Sequence, residues 1–434
     1  MASGIETLAQ RGAVLAQGPS LAEKFKKFMA DPHDPDSNPS GFIDIGTAEN
    51  HAMLPEVAAF MNKHPVHFKA KDFSYGEGPM GTLRLRTAMA NHMNRYFKPR
   101  EPVDPMHLHF TNGCTSLCDM LGYTMFDEED GILIAQPSYS GFPIDFGTKA
   151  KVRLVHVPFH GVDQFSVAAI DKFEEALKKA SSSGIKVRAM MLCSPHNPLG
   201  QCYPVDTLIA LMQFCNKHRI HMISDEIYGT SVYEVPDESA VPFVSVLSLD
   251  YEKYIDRNLL HVMYGMSKDL AGGGLRLGCL LVRNEVLATA LNAINQFHWS
   301  GIANDLTAAQ MLEDVEWMES FLKTSCERLA SRNALVRQIL DERGVPYSKA
   351  SNAGFFMWID LRKWLPDTNG KGERISGWER ERELVERFFD NKLNVSPGES
   401  QSAEEPGLFR VVFSHDERVV REGLRRLLEV LDGK

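Results

Sequence analysis

The chain has 434 residues, 44% hydrophobic and 24% charged, the balance of a globular protein rather than a disordered, collagen-like or coiled-coil one. Lys and Arg total 47 against 57 Asp and Glu, and the resulting charge of -10 argues against general nucleic-acid binding. No uninterrupted apolar stretch is long enough to span a membrane, and the length suits two domains sharing one main core.

The start, MASGIETLAQ, lacks a basic segment followed by an apolar one, so no signal peptide is expected. Seven scattered cysteines do not look like a disulfide framework, and a reducing, cytoplasmic compartment is the expectation. Residues 31–41, rich in Asp, Pro and Ser, read as a loop. The middle of the chain alternates short apolar runs with helical patterns. Strands are predicted at 132–135, 152–157, 187–193, 221–224, 259–264 and 278–282, with helices over 171–180 and 205–217. Strands separated by helices point to βαβ units and so to an α/β fold with a mainly parallel sheet. A long helical pattern spans 305–343; Trp317, Phe321 and Leu322 on it read as core or domain contacts. A strand at 354–361, a helix over 381–391, a strand at 408–413 and a closing helix over 416–431 make a smaller α+β block. The expected organisation is an amino-terminal segment, 1–64, packed onto the small domain, a large domain, 65–315, and a small carboxy-terminal domain, 316–434.

Three strand-end segments could carry chemistry. Lys268 directly follows a strand and opens a glycine-rich stretch that runs to Arg276 and Gly278. A lysine there can project its amine into the crevice where open α/β sheets bind ligands, and can form a Schiff base with a carbonyl. Arg276, eight residues on, could grip a phosphate through paired donors. A surface lysine beside a glycine turn explains the segment equally well. Ser194-Pro195-His196-Asn197-Pro198-Leu199-Gly200 reads on its own as a turn. Asp225, in Ser224-Asp225-Glu226-Ile227-Tyr228-Gly229, reads on its own as a helix cap. Other signals are weaker. Gly76, Gly78 and Gly81 fit G-x-G-x-x-G but follow no strand, which argues against a dinucleotide site. Cys114 and Cys118 lack a second cysteine pair, and the pairs His64/His67 and His107/His109 lack carboxylates at metal spacing, so no metal is expected.

In this order and together, the three segments resemble the fold-type I, class I/II aminotransferase family, which uses pyridoxal phosphate. Within it they are similar to the 1-aminocyclopropane-1-carboxylate synthase group, in its fungal and animal branch. The resemblance runs from about residue 40 to 415 and takes in Ile45-Gly46-Thr47-Ala48-Glu49-Asn50, Tyr75-Gly76-Glu77-Gly78, Asn112-Gly113-Cys114-Thr115, Pro137-Ser138-Tyr139-Ser140-Gly141-Phe142 and Gly407-Leu408-Phe409-Arg410-Val411. It implies that Lys268 holds the cofactor as a Schiff base and then serves as general base at Cα. Asp225 would pair with the pyridine nitrogen and keep it protonated. Asn197 and Tyr228 would bond the ring's O3′, and Tyr139 would stack on the ring. The amides of Cys114 and Thr115 would receive the phosphate, with Ser267 and Arg276 completing its cup. Arg410 would clamp the substrate α-carboxylate, and Ala48, Glu49 and Asn197 would lie on the substrate side. Tyr75 matches a tyrosine that reaches the neighbouring subunit's cofactor, which implies a homodimer with shared active sites.

The chain also departs from the pattern. Gly265 stands where many relatives have a phosphate-binding serine, and Ser267 compensates. Gly141-Phe142 leads to Pro143-Ile144 where plant-type synthases have Asp-Arg, and Ser138-Tyr139 replaces their Tyr-Tyr pair. These changes leave cofactor binding intact and bear on S-adenosylmethionine specificity. The resemblance implies a synthase-like lyase that eliminates or displaces a γ-leaving group, with Glu49 supporting that branch. The alternatives are an aminotransferase, a carbon–sulfur β-lyase acting on a cysteine conjugate, and a non-catalytic binding protein on the same fold.

Overall fold

The computed structural model describes residues 4–17 and 21–433, with the backbone alone at 21–25. The described residues build twelve strands: β1 (Ile43–Asp44), β2 (Leu108–Thr111), β3 (Gly131–Ala135), β4 (Arg153–Val157), β5 (Val187–Cys193), β6 (His221–Asp225), β7 (Leu260–Gly265), β8 (Gly278–Leu281), β9 (Phe356–Asp360), β10 (Leu393–Asn394), β11 (Ser396–Pro397) and β12 (Leu408–Val412). Seven form one sheet in the order β2-β8-β7-β6-β5-β3-β4. The pairings among β4, β3, β5, β6 and β7 are parallel, and β8 runs antiparallel to both of its neighbours. This is the expected α/β fold. Apolar runs such as Gly131–Ala135 are buried along their whole length, because helices cover both faces of the sheet.

The sheet puts four loops at one edge. β3, β5, β6 and β7 point the same way, so the residues at or just beyond their ends (Tyr139, Asn197, Asp225 and Lys268) emerge together. That is the strand-end crevice where such sheets bind ligands. β2, antiparallel to antiparallel β8, delivers the Cys114–Met125 helix to the same edge. The sequence pattern passes over β2, a four-residue strand.

A second sheet, β11-β12-β9, is antiparallel, and β1 pairs parallel with β10. Ile43 and Ile45 join Phe355, Met357, Phe409 and Val411 in the core beneath it. Met53 and Phe60, by contrast, pack into the core of the large sheet, as do Phe321 and Leu322, with Trp317 against it. Division of the chain at 64/65 and 315/316 is our proposal, and these side chains pack across it.

The long helical pattern is two helices, Ile302–Glu313 and Val315–Arg343. Asp314 leaves the helical region at φ -81° and ψ 83°, and its carboxylate accepts from the Trp317 amide at 3.0 Å, capping the second helix. Periodicity runs through such a break because a single capping residue barely disturbs it. Gly344, at φ 65°, ends the second helix in the left-handed conformation that glycine tolerates. Among the described residues no helix is long and apolar enough to cross a membrane.

Candidate active site

One cavity at the strand-end edge is lined by Cys114, Thr115, Tyr139, Asn197, Asp225, Tyr228, Ser267, Lys268 and Arg276, nine of the residues singled out from the sequence. Lys268 is half-buried, and its Nζ donates to the Ala48 carbonyl at 2.6 Å. Burial, with the positive charge of Arg410 behind it, pulls the lysine down from its ordinary value to about 8. The lowered value raises the neutral share of the amine near physiological pH far above that of an ordinary lysine, as a nucleophile or base requires.

Asp225 ends β6, 7% exposed. Its Oδ1 accepts from the Ile227 amide at 3.2 Å, and among the described residues no cation lies within ion-pair distance. Burial pushes the carboxyl up to about 7. Tyr228, 1% exposed, packs edge-on against Phe355 and Phe356, and its buried hydroxyl has no partner. Buried polar groups are ordinarily bonded, so an unpartnered hydroxyl and an unpaired carboxyl lining one cavity mark the places of missing ligand atoms.

At the other end of the cavity, Gly113 (φ 104°) opens the Cys114–Met125 helix and offers no capping side chain, which leaves the first amides of the helix free for an anion. The Arg276 guanidinium lies directly over this turn. A Cβ at Gly113 would come 2.5 Å from Arg276 Nη2, so only glycine allows the approach. A Cβ at Gly278 would come 2.6 Å from the Cys114 amide nitrogen. Gly265 is equally enclosed: its Cβ would meet the Leu277 carbonyl at 2.7 Å and Cys114 Sγ at 3.4 Å. Cys114 Sγ, hydrogen-bonded to the Tyr264 carbonyl at 3.6 Å, takes up room beside it. The expected serine is absent at 265 because there is no space for it.

Arg410 reaches in from β12, 4% exposed. Its Nη1 donates to Asn197 Oδ1 at 2.9 Å, and its Nη2 to the Gly46 carbonyl at 2.6 Å and Ser396 Oγ at 3.2 Å. The guanidinium sits 5.1 Å from the Phe356 ring centroid, and Nε is buried without a partner. Among the described residues no carboxylate pairs with it, so a buried cation rests on neutral acceptors. An anionic ligand completes such a site.

Ala48 is buried and holds Lys268 through its carbonyl. The Glu49 side chain is exposed, 3.8 Å from His51 Nε2, while its backbone carbonyl accepts from Ser414 Oγ. Tyr75 does not join the cavity of its own chain. It is 87% exposed, its ring 5.9 Å from that of Trp299 on a surface groove with Phe73. The structure adds Cys118, Phe142, Asp145, Cys193, Ile227 and Met263 to the cavity wall. Of these Asp145 is the chemical surprise, a second carboxyl that burial raises to about 6. Its only signal in the sequence is an acid in an otherwise apolar turn, two residues beyond Pro143.

These features fit pyridoxal phosphate: an amine for an aldehyde, an unpaired acid for a ring nitrogen, a lone hydroxyl for a phenolic oxygen, and free helix amides with an arginine for a phosphate.

The family model "Aminotransferase class I and II" matches residues 43–427. The chain is 33% identical to the 1-aminocyclopropane-1-carboxylate synthase-like protein 1 of Mus musculus, over 98% of this chain and 84% of that one. It is 31% identical to 1-aminocyclopropane-1-carboxylate synthase 1 of Cucurbita pepo, over 93% and 81%. A second Mus musculus relative, 30% identical over 98% and 72%, is named a probable inactive synthase-like protein 2. Among solved structures, a Pyrococcus horikoshii kynurenine aminotransferase superposes with a TM-score of 0.76 at 17% identity, covering 99% of this chain and 98% of that one.

Proposed function

The chain belongs to the class I and II aminotransferases, in the 1-aminocyclopropane-1-carboxylate synthase-like group, and is a pyridoxal-phosphate enzyme; from that premise we propose that it is a lyase acting at Cα of an α-amino acid, by elimination or γ-substitution. The observation that carries the substrate class is Arg410, a buried guanidinium with neutral partners alone among the described residues, hydrogen-bonded to Asn197 of the cavity and close enough to lower Lys268. It binds the α-carboxylate through two donors.

The cofactor supplies an electron sink that stabilises negative charge at Cα. Lys268 anchors it through the amine and, once released, takes the Cα proton as general base, its lowered pKa increasing the share of neutral amine for the task. Asp225 holds the ring nitrogen protonated, and Asn197 and Tyr228 bond the phenolic oxygen. Tyr139 covers the ring face. The Cys114 and Thr115 amides, Ser267 and Arg276 hold the phosphate. Asn197 does double service, because it also orients Arg410. Glu49, next to the carbonyl that holds Lys268, bears on the leaving-group side, and Ala48 shapes the same wall. This complete set argues against a non-catalytic role. Tyr75, exposed beside Trp299, completes a partner's site in a homodimer. Seven free thiols support a cytoplasmic location.

Rapid-scan absorbance against S-adenosylmethionine, common amino acids with a keto acid, and cysteine conjugates tests the reaction. Loss of the cofactor's visible band on adding an amino acid, with a pyridoxamine product and return of the band on adding a keto acid, means transamination. Ammonia with pyruvate means β-elimination from a cysteine conjugate. Turnover of a γ-substituted amino acid without a keto-acid acceptor supports the lyase.

A further inference from the structure

We propose that Asp145 is a second acid of the cofactor site, a positioning residue that acts with Asp225 to hold the pyridine ring in its nitrogen-protonated form. The proposal rests on the reading of Asp225 as the ring-nitrogen partner. Asp145 stands on the Phe142–Gly147 helix, 9% exposed, in the same cavity as Asp225, Lys268 and Tyr139. Its carboxyl is favoured in the charged form by Thr115, which lines the same cavity where the phosphate-receiving helix begins. It thus touches the phosphate end of the cavity and acts on Asp225 at the other as a like charge. A ring bridging the two ends passes beside it.

The charge balance around Asp145 favours a bound cation. The groups near it are Asp225 on β6, Tyr139 on the loop after β3, and Cys118 and Asp119 on the Cys114–Met125 helix. The carboxylate of Asp119 is engaged by Lys149 at 2.8 Å and lies 3.7 Å from His298 Nε2. Lys268 is the nearest amine acting on Asp225, and once the cofactor takes it up that charge is no longer free. Two buried carboxyls in one cavity do not both ionise readily without a counter-charge, and burial raises Asp145 to about 6 and Asp225 to about 7. A pyridinium beside them supplies the missing cation, and both then give up their protons. The competing explanation is that Asp145 does no more than hold Thr115 in place.

The test compares native protein, Asp145→Asn and Asp225→Asn, each stripped of cofactor and reloaded with pyridoxal phosphate. The amide of Asp145→Asn keeps an oxygen for Thr115 and removes the charge. Three quantities are read: protons released on loading at about pH 5.5, cofactor affinity against pH, and the pH titration of the bound chromophore. Asp145→Asn should release up to one proton fewer, bind the cofactor about ten-fold more weakly at pH 8, and shift the chromophore titration to lower pH. The affinity gap should close toward pH 5, where native Asp145 is itself neutral. Asp145→Glu should recover part of the proton release. Equal release and a parallel affinity profile for Asp145→Asn overturn the proposal. If Asp225→Asn binds and titrates like the native protein, the underlying placement of the ring fails instead. Should Asp145→Asn not fold, infrared difference spectra of the native protein carry the test: loading at low pH should remove two protonated-carboxyl bands, of which Asp225→Asn lacks one. Loss of a single band overturns the proposal.

Discussion

The wall of the cavity built by the large sheet carries two buried carboxyls, Asp225 and Asp145, and the amine of Lys268. The small sheet, opposite, presents Arg410, hydrogen-bonded to Asn197 of the cavity and with no acid to answer it among the described residues. Each wall is incomplete in the opposite sense. The large-sheet wall lacks a cation at the ring position, and the small-sheet wall lacks an anion at the carboxylate position. On the reading proposed above, one crevice would take two ligands in order: the cofactor's pyridinium would answer the first wall and the amino acid's carboxylate the second. Asn197 is hydrogen-bonded to Arg410 across the gap, so loading one wall orients the other.

Breaking the large-sheet wall has the largest expected effect. Lys268→Ala should lower turnover by more than about 10⁴-fold, since it removes both the covalent anchor and the base. Circular dichroism should report an intact fold, and full activity would refute the assignment. The wall opposite should answer differently. Arg410→Lys removes the two-point grip and should weaken amino-acid binding by about 1–3 kcal/mol, read as a raised KM, with little change in cofactor affinity. Decarboxylated amine analogues should be poor substrates of the native enzyme and should show no further loss in the variant. Comparable efficiency on an amino acid and its amine would show that the small-sheet wall does not read the carboxylate.

The pH dependence of loading sharpens the comparison. The Lys268 amine is held down to about 8, so its reactive neutral form is scarce at pH 6 and dominant above pH 8. The rate of covalent cofactor capture by the stripped protein should therefore rise with pH and level off above about 8. A flat profile between pH 6 and 9 would contradict the shift.

The proposed third wall, from a second copy, is probed by mixing. Lys268→Ala and Tyr75→Ala chains, each impaired alone, should regain part of the native activity as hybrids, because one hybrid site is intact. No recovery in a mixture that demonstrably exchanges subunits would remove Tyr75 from the site. The smallest effect is expected at Gly265→Ser, where the family's usual serine meets the Leu277 carbonyl. It should destabilise the stripped protein by about 1–3 kcal/mol and bring no gain in phosphate affinity. A stabilised variant with tighter cofactor binding would show that the turn yields more easily than its packing implies.

Much of the site was legible in the sequence through the resemblance, because its chemistry sits in short strand-end segments that are recognisable in order and together, although each alone reads as a turn, a cap or a surface lysine. Lys268, Asp225, Asn197, Tyr228 and Arg276 line one cavity, as those segments imply. The parallel sheet was legible too, since a strand buried on both faces is apolar along its length. The division at Asp314 was not, because a cap that interrupts a helix hardly alters its periodicity.

The sequence by itself determined the repertoire: an α/β chain, a lysine and an acid at neighbouring strand ends, a glycine-rich turn with an arginine, and an arginine in a late strand. Only the tertiary structure decided which of these lack partners. Arg410 and Asn197 are 213 residues apart, and whether a carboxylate also sits beside that guanidinium depends on how the two sheets pack. The same packing brings Asp145 to the cavity of Asp225 and closes the space that a serine at 265 would need. Residue type and spacing are local properties, whereas desolvation and the absence of a counter-charge belong to the assembled site.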